Sequence, residues 1–291
     1  MSQNLVLIAT YPRSGSTWLR AIFGNLRRPS FDPVSINAMA AGYYGYPRRL
    51  LFDDIVPVNA ADLLPQEIDT FLPEVFRQLS IAISDTIIIK VHDRARRAEN
   101  GQWLFPPECV RAVVHVVRHP FDVAVSYAHH LGVNLTRAIE LMSGRDGVVV
   151  ADPERRLPLQ LHEHIGSWSE HVESWQDSGE YQVTMARFED LFADSLTGFR
   201  RLAVEAGLPA TDDRVSAAVR ASTFARLQSE ERSQGFRERP RTATAFFRSG
   251  RPRSWGQELT AEMRESIYRD HERVMRRMGY EPDGAAIPLP E

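Results

Sequence analysis

Cysteine and lysine are almost missing from this chain. Its 291 residues include one cysteine, Cys109, so no disulfide can form within the chain. A chain without disulfides is typical of a reducing compartment, and we expect the cytoplasm. Lysine and arginine together number 35, yet Lys90 is the single lysine. Because an ammonium is a compact point charge and a guanidinium is a broad fork, Lys90 is either a chance survivor or a residue whose chemistry arginine cannot replace.

Long apolar runs and blocks of like charge are missing as well. No window approaches the roughly 18 apolar residues that a membrane-spanning helix needs. The first residues, MSQNLVLIATYP, show no basic region before an apolar stretch. We therefore expect neither a transmembrane segment nor a signal peptide. The net charge of −3 argues against a general nucleic-acid binder. No segment rich in glycine and serine marks a boundary, so residues 1–291 are expected to form a single domain.

Short runs of branched apolar residues alternate with helical patterns. The candidate strands are 5–9, 86–91, 112–117 and 181–185, and the candidate helices are 16–27, 66–83, 120–131, 160–178, 195–206, 212–227 and 260–278. Strands of nearly continuous valine and isoleucine are typical of a parallel sheet buried on both faces. The predicted fold class is α/β, a central parallel sheet flanked by helices on both faces. Residues 143–158 and 228–254 show little periodicity and are expected to be loops.

The first strand ends at a turn rich in hydroxyl groups, TYPRSGSTW at residues 10–18. Such a strand–turn–helix junction presents main-chain N–H groups and the positive end of a helix dipole to an anion. Gly15 lets the main chain approach that anion, and Arg13 adds a charged fork. Further donors are the hydroxyls of Ser14, Ser16 and Thr17. The alternative is an ordinary turn with a serine N-cap. The Walker pattern GxxxxGK[ST] and a phosphatase cysteine are both absent, so the turn holds an anion without an evident metal or covalent nucleophile.

Two other strand ends carry candidate functional residues. In VHVVRHPFDVAVSY, residues 114–127, Arg118 follows a strand and Ser126 lies two turns along the next helix. Parallel strands share one carboxyl edge, so Arg118 faces the same crevice as the first turn, unless it merely caps a carbonyl. In KVH, Lys90 and His92 point to the same side of an extended segment. A histidine suits proton transfer because its pKa lies near neutrality, although a lone surface histidine is the ordinary alternative.

These stretches resemble the signatures of the sulfotransferases that use 3′-phosphoadenosine 5′-phosphosulfate (PAPS). TYPRSGSTW resembles their P-loop-like 5′-phosphosulfate turn, commonly written YPKSGTTW, and VVRHPFDVAVSY resembles their 3′-phosphate motif. Three further stretches are similar to family motifs in the same order: GSWSEHVESW at 166–175, ARFEDL at 186–191, and FFRSGRPRSWGQELT at 246–260. The five matches span nearly the whole chain.

The resemblance implies where the nucleotide binds. Arg13 takes the place of the loop lysine at the phosphosulfate bridge, and the 5′-phosphate is implied to contact Ser14, Gly15, Ser16 and Thr17. Trp18 and Phe188 are implied to flank the adenine, with Ser222 of ASTF nearby. The residues implied for the 3′-phosphate are Arg118, Ser126, Arg248, Ser249 and Gly250.

The resemblance also implies the reaction. The family has KTH where this chain has KVH, so His92 is implied to be the general base and Lys90 to neutralise charge on the sulfuryl group. The expected reaction is in-line transfer from PAPS to a hydroxyl of a small-molecule, sugar or lipid acceptor, with Arg13 and Lys90 supplying positive charge instead of a metal. A P-loop kinase would need a Walker lysine and a metal-binding carboxylate. A non-catalytic nucleotide-binding protein of this fold would lack the base.

Several residues depart from the family pattern. Arg13 cannot donate a proton as a lysine does, and Ser249 replaces the lysine of the family's RKG, with Arg251 or Arg253 as candidates for the lost charge. The dimerisation motif KxxxTVxxxE is only partly present as GQELTAEMRE, so the oligomeric state stays open. His129 and His130 are expected on an exposed helix surface, the alternative being that they face the acceptor. The aromatic tract at residues 40–54 either lines the acceptor pocket or packs on the surface.

Overall fold

A parallel five-stranded sheet lies at the centre of the fold, with strand order β2-β3-β1-β4-β7. The structure is a computed structural model that describes residues 3–28, 32–39, 44–45, 49–144, 148–149 and 160–287. The strands of this sheet are β1 (Leu5–Thr10), β2 (Tyr44–Gly45), β3 (Ile87–Val91), β4 (Val110–Val117) and β7 (Val183–Arg187). A separate antiparallel pair consists of β5 (Val148–Val149) and β6 (Glu163–His164).

The alternation of side chains along β1 divides the core into two layers. Leu5 and Leu7 join one apolar cluster, and Val6 and Ile8 join another on the opposite face. All six residues of β1 are buried. Both faces of the sheet are therefore covered, as the unbroken apolar runs predicted.

The helices occupy both sides of this sheet. Their bounds are α1 (Ser16–Arg27), α2 (Arg49–Ile55), α3 (Pro65–Ala82), α4 (Pro120–Leu131), α5 (Leu135–Ser143), α6 (Trp168–Gln176), α7 (Phe188–Ala193), α8 (Ser195–Glu205), α9 (Asp212–Ala221), α10 (Phe224–Gln234) and α11 (Ala261–Arg277). Short 3₁₀ turns lie at Ala60–Asp62 and Ser254–Gln257. The predicted α/β class and the parallel sheet with helices on both faces are confirmed.

Three predicted segments differ in the structure. The helix predicted at 160–178 begins at Trp168, because Gly166 has a left-handed φ of 64° and Ser167 forms a capping box with Glu170. The helix predicted at 212–227 is interrupted at Ser222, and α10 then continues to Gln234, inside the segment predicted to be a loop. Residues 145–147 and 150–158 of the other predicted loop lie outside the described residues, as does most of the first half of the aromatic tract.

The strand order brings the candidate residues together. The chain passes from β1 to β3 on one side and returns past β1 to β4 on the other. The carboxyl ends of β3, β1 and β4 are therefore neighbours, and ligands of open α/β sheets bind at such a reversal of strand order. Among the described residues, no helix is both long and apolar enough to cross a membrane.

Candidate active site

The turn between β1 and α1 has the geometry of an anion site. We call residues 11–17 the anion loop. Arg13 and Gly15 have left-handed φ values of 70° and 104°, so the N–H groups around them curve toward one side. No side chain of the described residues caps the start of α1, and its first turn holds no acidic residue. The first N–H groups of a helix have no intrahelical acceptor, so these donors remain available to an anion.

The hydroxyls of the anion loop lie inside the protein. Ser14, Ser16 and Thr17 are all buried, and no described residue hydrogen-bonds to the Ser14 Oγ atom. A Cβ atom at Gly15 would lie 3.0 Å from the Phe188 ring, in a main-chain conformation that favours glycine. An unpaired buried hydroxyl beside free main-chain donors fits a phosphate or sulfate.

Arg13 connects the anion loop to two other motifs. Its Nε donates to the Ser126 Oγ at 3.0 Å, and one terminal nitrogen donates to the main-chain oxygen of Phe246 at 3.2 Å. Its guanidinium also lies 4.5 Å from the centre of the Phe246 ring. Burial, with the charges of Arg118 and Arg248, lowers the pKa of Arg13 to about 10. The positive charges of Arg13, Arg118 and Arg248 therefore repel one another, and a bound anion would reduce this repulsion.

Arg118 holds the same motifs through their main chains. Its two terminal nitrogens donate to the main-chain oxygens of Arg13 and Arg251, each at 3.1 Å. Its guanidinium stacks 4.4 Å from the centre of the Phe188 ring, and no described residue accepts a hydrogen bond from its buried Nε. The sequence placed Arg118 in the crevice, and the structure does bring it to the anion loop.

The segment after α10 closes over the anion loop. We call residues 235–253 the strap. Asp122 on α4 accepts hydrogen bonds from the main-chain nitrogens of Arg253 and Ser254, at 2.7 and 2.8 Å. Arg248 pairs with Glu258 at 3.0 Å, while Ser249 and Gly250 are half-buried. Gly250 has a left-handed φ of 63°, and a Cβ atom there would lie 2.0 Å from the Phe224 ring.

Gly250→Ala is expected to weaken both folding and nucleotide binding. The left-handed conformation costs an alanine about 1–2 kcal/mol, and its methyl group would collide with Phe224. We expect a lower midpoint of thermal unfolding and weaker binding of adenosine 3′,5′-bisphosphate, measured by calorimetry. Gly256→Ala is the matched control, because nothing lies within 4 Å of that position. Equal behaviour of the two variants would contradict the contact assigned to Gly250.

The residues implied for the adenine are only partly together. Trp18 and Phe188 meet edge-on, with ring centres 5.6 Å apart. Ser222 is fully buried, and its hydroxyl accepts a hydrogen bond from Asn25, near the other end of α1. Phe224, which the sequence analysis did not identify as a site residue, packs against Gly250 of the strap.

Lys90 and His92 lie at the end of β3, beside β1. Lys90 pairs with Ile8 in the parallel register and is half-buried, and His92 is 8% exposed. No hydrogen bond or ion pair joins Lys90 to another residue in the part of the chain that the structure describes. Burial is the main cause that lowers the pKa of Lys90, and the charge of Glu238 opposes this.

The hydrogen bonds of His92 fix its tautomer. Its Nδ1 lies 2.7 Å from the main-chain oxygen of Thr10, which can only accept, so Nδ1 carries the proton. Nε2 of the neutral ring is then free to accept a proton. Burial and the nearby charge of Lys90 hold the pKa of His92 well below its ordinary value, so the ring is neutral at physiological pH. A neutral imidazole with a free Nε2 is the form that a general base requires.

His130 lies near this pair, which the sequence did not predict. His130 was expected on an exposed surface, and this was wrong: its Nδ1 lies 3.3 Å from an Arg13 nitrogen because the last turn of α4 faces the anion loop. Burial and the charges of Arg13 and Lys90 lower the pKa of His130 to about 3. Its neighbour His129 is exposed, as expected, and pairs with Glu258 at 2.6 Å.

The strap also brings a carboxylate toward this pair. Glu238 is held by both terminal nitrogens of buried Arg20, at 2.7 and 2.8 Å. Burial alone would raise its pKa, but the hydrogen bonds and charge of Arg20 outweigh this and lower it to about 2. No local pattern could reveal this pair, because 218 positions separate its members. Within the described residues, no three His, Cys, Asp or Glu side chains cluster as a metal site requires.

An α/β sheet with an anion loop facing a lysine–histidine pair is the architecture of a group-transfer enzyme. The chain belongs to the sulfotransferase family, since the family model described as sulfotransferase domain matches residues 3–279. The expected membership is confirmed, and the protein is a sulfotransferase. Flavonol 3-sulfotransferase of Flaveria bidentis is 24% identical over 91% of this chain and 79% of its own length. Cytosolic sulfotransferase 15 of Arabidopsis thaliana is 26% identical over 91% of this chain and 70% of its own length.

Two solved structures share the fold. Mouse sulfotransferase SULT7A1 in complex with PAP has a TM-score of 0.60 and 18% identity, covering 95% of this chain and 85% of the mouse chain. Retinol dehydratase with androsterone and the inactive cofactor PAP has the same TM-score and identity, covering 95% of this chain and 82% of its own.

Proposed function

We propose that this sulfotransferase moves the sulfuryl group of PAPS to a hydroxyl of a small-molecule, sugar or lipid acceptor by in-line displacement. One observation carries the proposal: the uncapped anion loop at the end of β1 adjoins Lys90 and His92 at the end of β3. Family membership supports the choice of donor. So does PAP (adenosine 3′,5′-bisphosphate), the ligand named for both structural neighbours. The name of the plant relative supports a small hydroxylated acceptor, and leaves its identity open.

The residues present fit the nucleotide. The free donors of the anion loop and the unpaired Ser14 hydroxyl suit the 5′-phosphate and the sulfuryl group. The unpaired Nε of Arg118 suits the 3′-phosphate. The other proposed 3′-phosphate ligands are Ser126, Arg248, Ser249 and Gly250, and those near the adenine are Trp18, Phe188 and Ser222.

In the proposed mechanism, PAPS would supply an activated sulfuryl group with adenosine 3′,5′-bisphosphate as the leaving group, and the chain positions the reactants and moves one proton. His92 accepts the hydroxyl proton of the acceptor at Nε2. Lys90 and Arg13 place fixed positive charge beside the oxygens that gain charge in transfer, which lowers the barrier in a site shielded from water. These two cations supply the charge that a metal gives other phosphoryl-type transfers, so we expect no metal requirement.

Further proposals concern the protein as a whole. We propose that residues 1–291 act as one domain, since a central sheet joins the elements of the described chain. A cytoplasmic location is supported by the word cytosolic in the name of one plant relative and by the single cysteine. A nucleotide kinase is the less favoured alternative, because no Walker lysine is present in the loop.

Binding of adenosine 3′,5′-bisphosphate and of AMP tests the proposal. We expect the bisphosphate to bind at least about tenfold more tightly, because a charge-assisted hydrogen bond contributes roughly 1.5–3 kcal/mol. Arg118→Met should remove this preference, and AMP affinity should fall by less than bisphosphate affinity, because Arg118 also holds the main-chain oxygen of Arg13. Arg111→Met, an exposed change on β4, the strand that precedes Arg118, should keep the preference.

Calorimetry of both nucleotides measures these affinities, and labelled PAPS with a panel of hydroxyl compounds measures transfer. Equal affinity of the wild-type protein for the two nucleotides would remove the assignment of Arg118. Phosphoryl transfer from ATP with magnesium, in place of sulfuryl transfer from PAPS, would favour the kinase alternative.

A further inference from the structure

A buried carboxylate lies behind the lysine–histidine pair. Glu163 of β6 is 0% exposed. One of its oxygens accepts a hydrogen bond from the main-chain nitrogen of His92 at 2.6 Å, and the other accepts one from the Gln160 amide at 2.6 Å. Burial of an ionised carboxylate costs free energy unless other groups compensate its charge, so the contacts of Glu163 need an explanation.

The fold fixes Glu163 against the segment that follows β3. The main-chain nitrogen of Arg94 donates to the main-chain oxygen of His164 at 3.0 Å, so β6 runs beside residues 92–94. Arg96 strengthens this junction by bridging Asp69 and Asp93, and the ring of His164 lies 3.6 Å from Asp69. The carboxylate of Glu163 is therefore held within the site and cannot swing to solvent.

Charge distinguishes Glu163 from the neighbouring carboxylates. Asp93 is hydrogen-bonded to Arg96, and Glu238 is hydrogen-bonded to Arg20. The hydrogen-bond donors to Glu163 in the described chain, the His92 N–H and the Gln160 amide, are both neutral. Lys90 is the cation whose charge acts on the Glu163 carboxylate.

Burial raises the pKa of Glu163 to about 7, and the charge of Lys90 opposes this rise. Glu163 is thus ionised above about pH 7, and the charge of Asp93 adds to the rise in its pKa. The charged groups that act on Lys90 are Glu238, Arg20, Glu163 and Arg13.

We propose that Glu163 is a positioning residue for sulfuryl transfer, which fixes the main chain of His92 and supplies, beside Glu238, a buried negative charge that favours the protonated form of Lys90. It touches neither donor nor acceptor and acts through the pair. The role in transfer rests on the proposed function, whereas the charge coupling between Glu163 and Lys90 does not.

The single lysine makes the coupling directly measurable. Protein grown with ¹³C-labelled lysine gives one side-chain signal, that of Lys90, whose Cε shift reports its protonation without substrate. In the wild-type protein we expect this signal to show a small step near pH 7, as Glu163 ionises, before the main titration of the ammonium.

Glu163→Gln is the main test. Glutamine keeps an oxygen for the His92 N–H, and Gln160 can turn its amide to pair with the new side chain. Loss of a nearby opposite charge lowers the pKa of a cation by on the order of one unit. We therefore expect the step near pH 7 to vanish, the Lys90 titration to move to lower pH, and the alkaline limb of the kcat profile to move with it.

Two variants separate charge from structure. Glu163→Asp keeps the charge but draws it back from the His92 N–H, so kcat should fall while the Lys90 titration stays near its wild-type position. Asp69→Asn weakens the same junction of β6 and should lower stability without moving the Lys90 titration. An unchanged Lys90 titration in Glu163→Gln, or an equal shift in Asp69→Asn, would overturn the proposal.

If Glu163→Gln does not fold, the titration of the wild-type protein tests the proposal. A wild-type Lys90 signal without a step near pH 7 would then overturn it. The two proposals also fail separately. Absence of sulfuryl transfer by the wild-type protein contradicts the proposed function and leaves the coupling intact. If the protein transfers sulfuryl groups but the Lys90 titration is the same in Glu163→Gln as in the wild type, only the coupling is contradicted.

Discussion

Lys90→Arg is expected to lose sulfuryl transfer by on the order of 10²-fold, because a displacement of about 1 Å in a positioned group has effects of that size. Arginine keeps the charge but spreads it over a wider, forked group at the end of β3. Binding of adenosine 3′,5′-bisphosphate should change little. Steady-state kcat with labelled PAPS and calorimetry with the bisphosphate measure the two effects.

His92→Ala is expected to lose more sulfuryl transfer than Lys90→Arg, and its binding of adenosine 3′,5′-bisphosphate should also change little. General base catalysis contributes roughly 10²–10⁴-fold, and the alanine variant has no group to accept the hydroxyl proton. His271→Gln is the matched control, because His271 is also a buried histidine of lowered pKa but bonds to Ser169, away from the strand ends. Arg269→Lys, at an exposed position, tests whether exchange of the two cations is harmless elsewhere. Transfer at the wild-type rate by Lys90→Arg would show that Lys90 is incidental.

The free energy of unfolding is expected to fall steeply below about pH 6.5. Burial lowers the pKa of His115 and of His119 to about 3 and that of His271 to about 4, and it holds those of His92 and His171 well below their ordinary value. The unfolded chain therefore binds more protons than the folded one between pH 6.5 and these values, so acid favours unfolding. Each such proton contributes about 1.4 kcal/mol per pH unit.

Two glutamates oppose this trend. Burial raises the pKa of Glu163 to about 7 and also raises that of Glu189, so both stabilise the folded state as the pH falls toward their ordinary values. Five buried histidines outnumber them, and the net loss is large against a typical stability of about 5–15 kcal/mol. Urea denaturation at pH 7.5, 6 and 5 measures the slope, and His115→Gln should reduce it by close to one proton. A flat dependence would contradict the neutral burial of these rings.

The start of α4 gives this acid sensitivity a structural site. The Nδ1 of His119 accepts a hydrogen bond from the main-chain nitrogen of Phe121 at 3.2 Å, which caps the helix. A protonated ring has no lone pair for that bond. Protonation of His119 would therefore loosen the helix that carries Ser126.

Local sequence patterns predicted the first and last residues of some helices correctly. The bounds of α1 and α4 match the sequence prediction, because Gly15 and Pro120 mark their starts and Gly132 marks the end of α4. The helix predicted at 160–178 began too early for a physical reason: Leu161 and Ile165 are buried at a helical spacing, although the chain there is extended. A period of four residues cannot distinguish two buried positions flanking a short strand from two turns of a helix.

The site was predictable where it follows the ends of strands. Arg13, Lys90, His92 and Arg118 all lie at the shared edge of the sheet, and their meeting follows from parallel topology. Glu163 and Glu238 could not be predicted in this way, because each reaches the site from a segment far along the chain without a periodic pattern. Their partners are set by tertiary packing alone.

Arg118 grips main-chain oxygens at Arg13 and Arg251, and this has a consequence for evolution. Every amino acid supplies the same carbonyl, so the two hydrogen bonds that Arg118 donates do not depend on which side chain stands at either position. The side chain of Arg251 can therefore change while this junction persists, whereas the side chain of Arg13 is also held by Ser126 and Phe246. A lineage could thus have replaced lysine by arginine at position 13 without breaking the hydrogen bond from Arg118 that holds the loop.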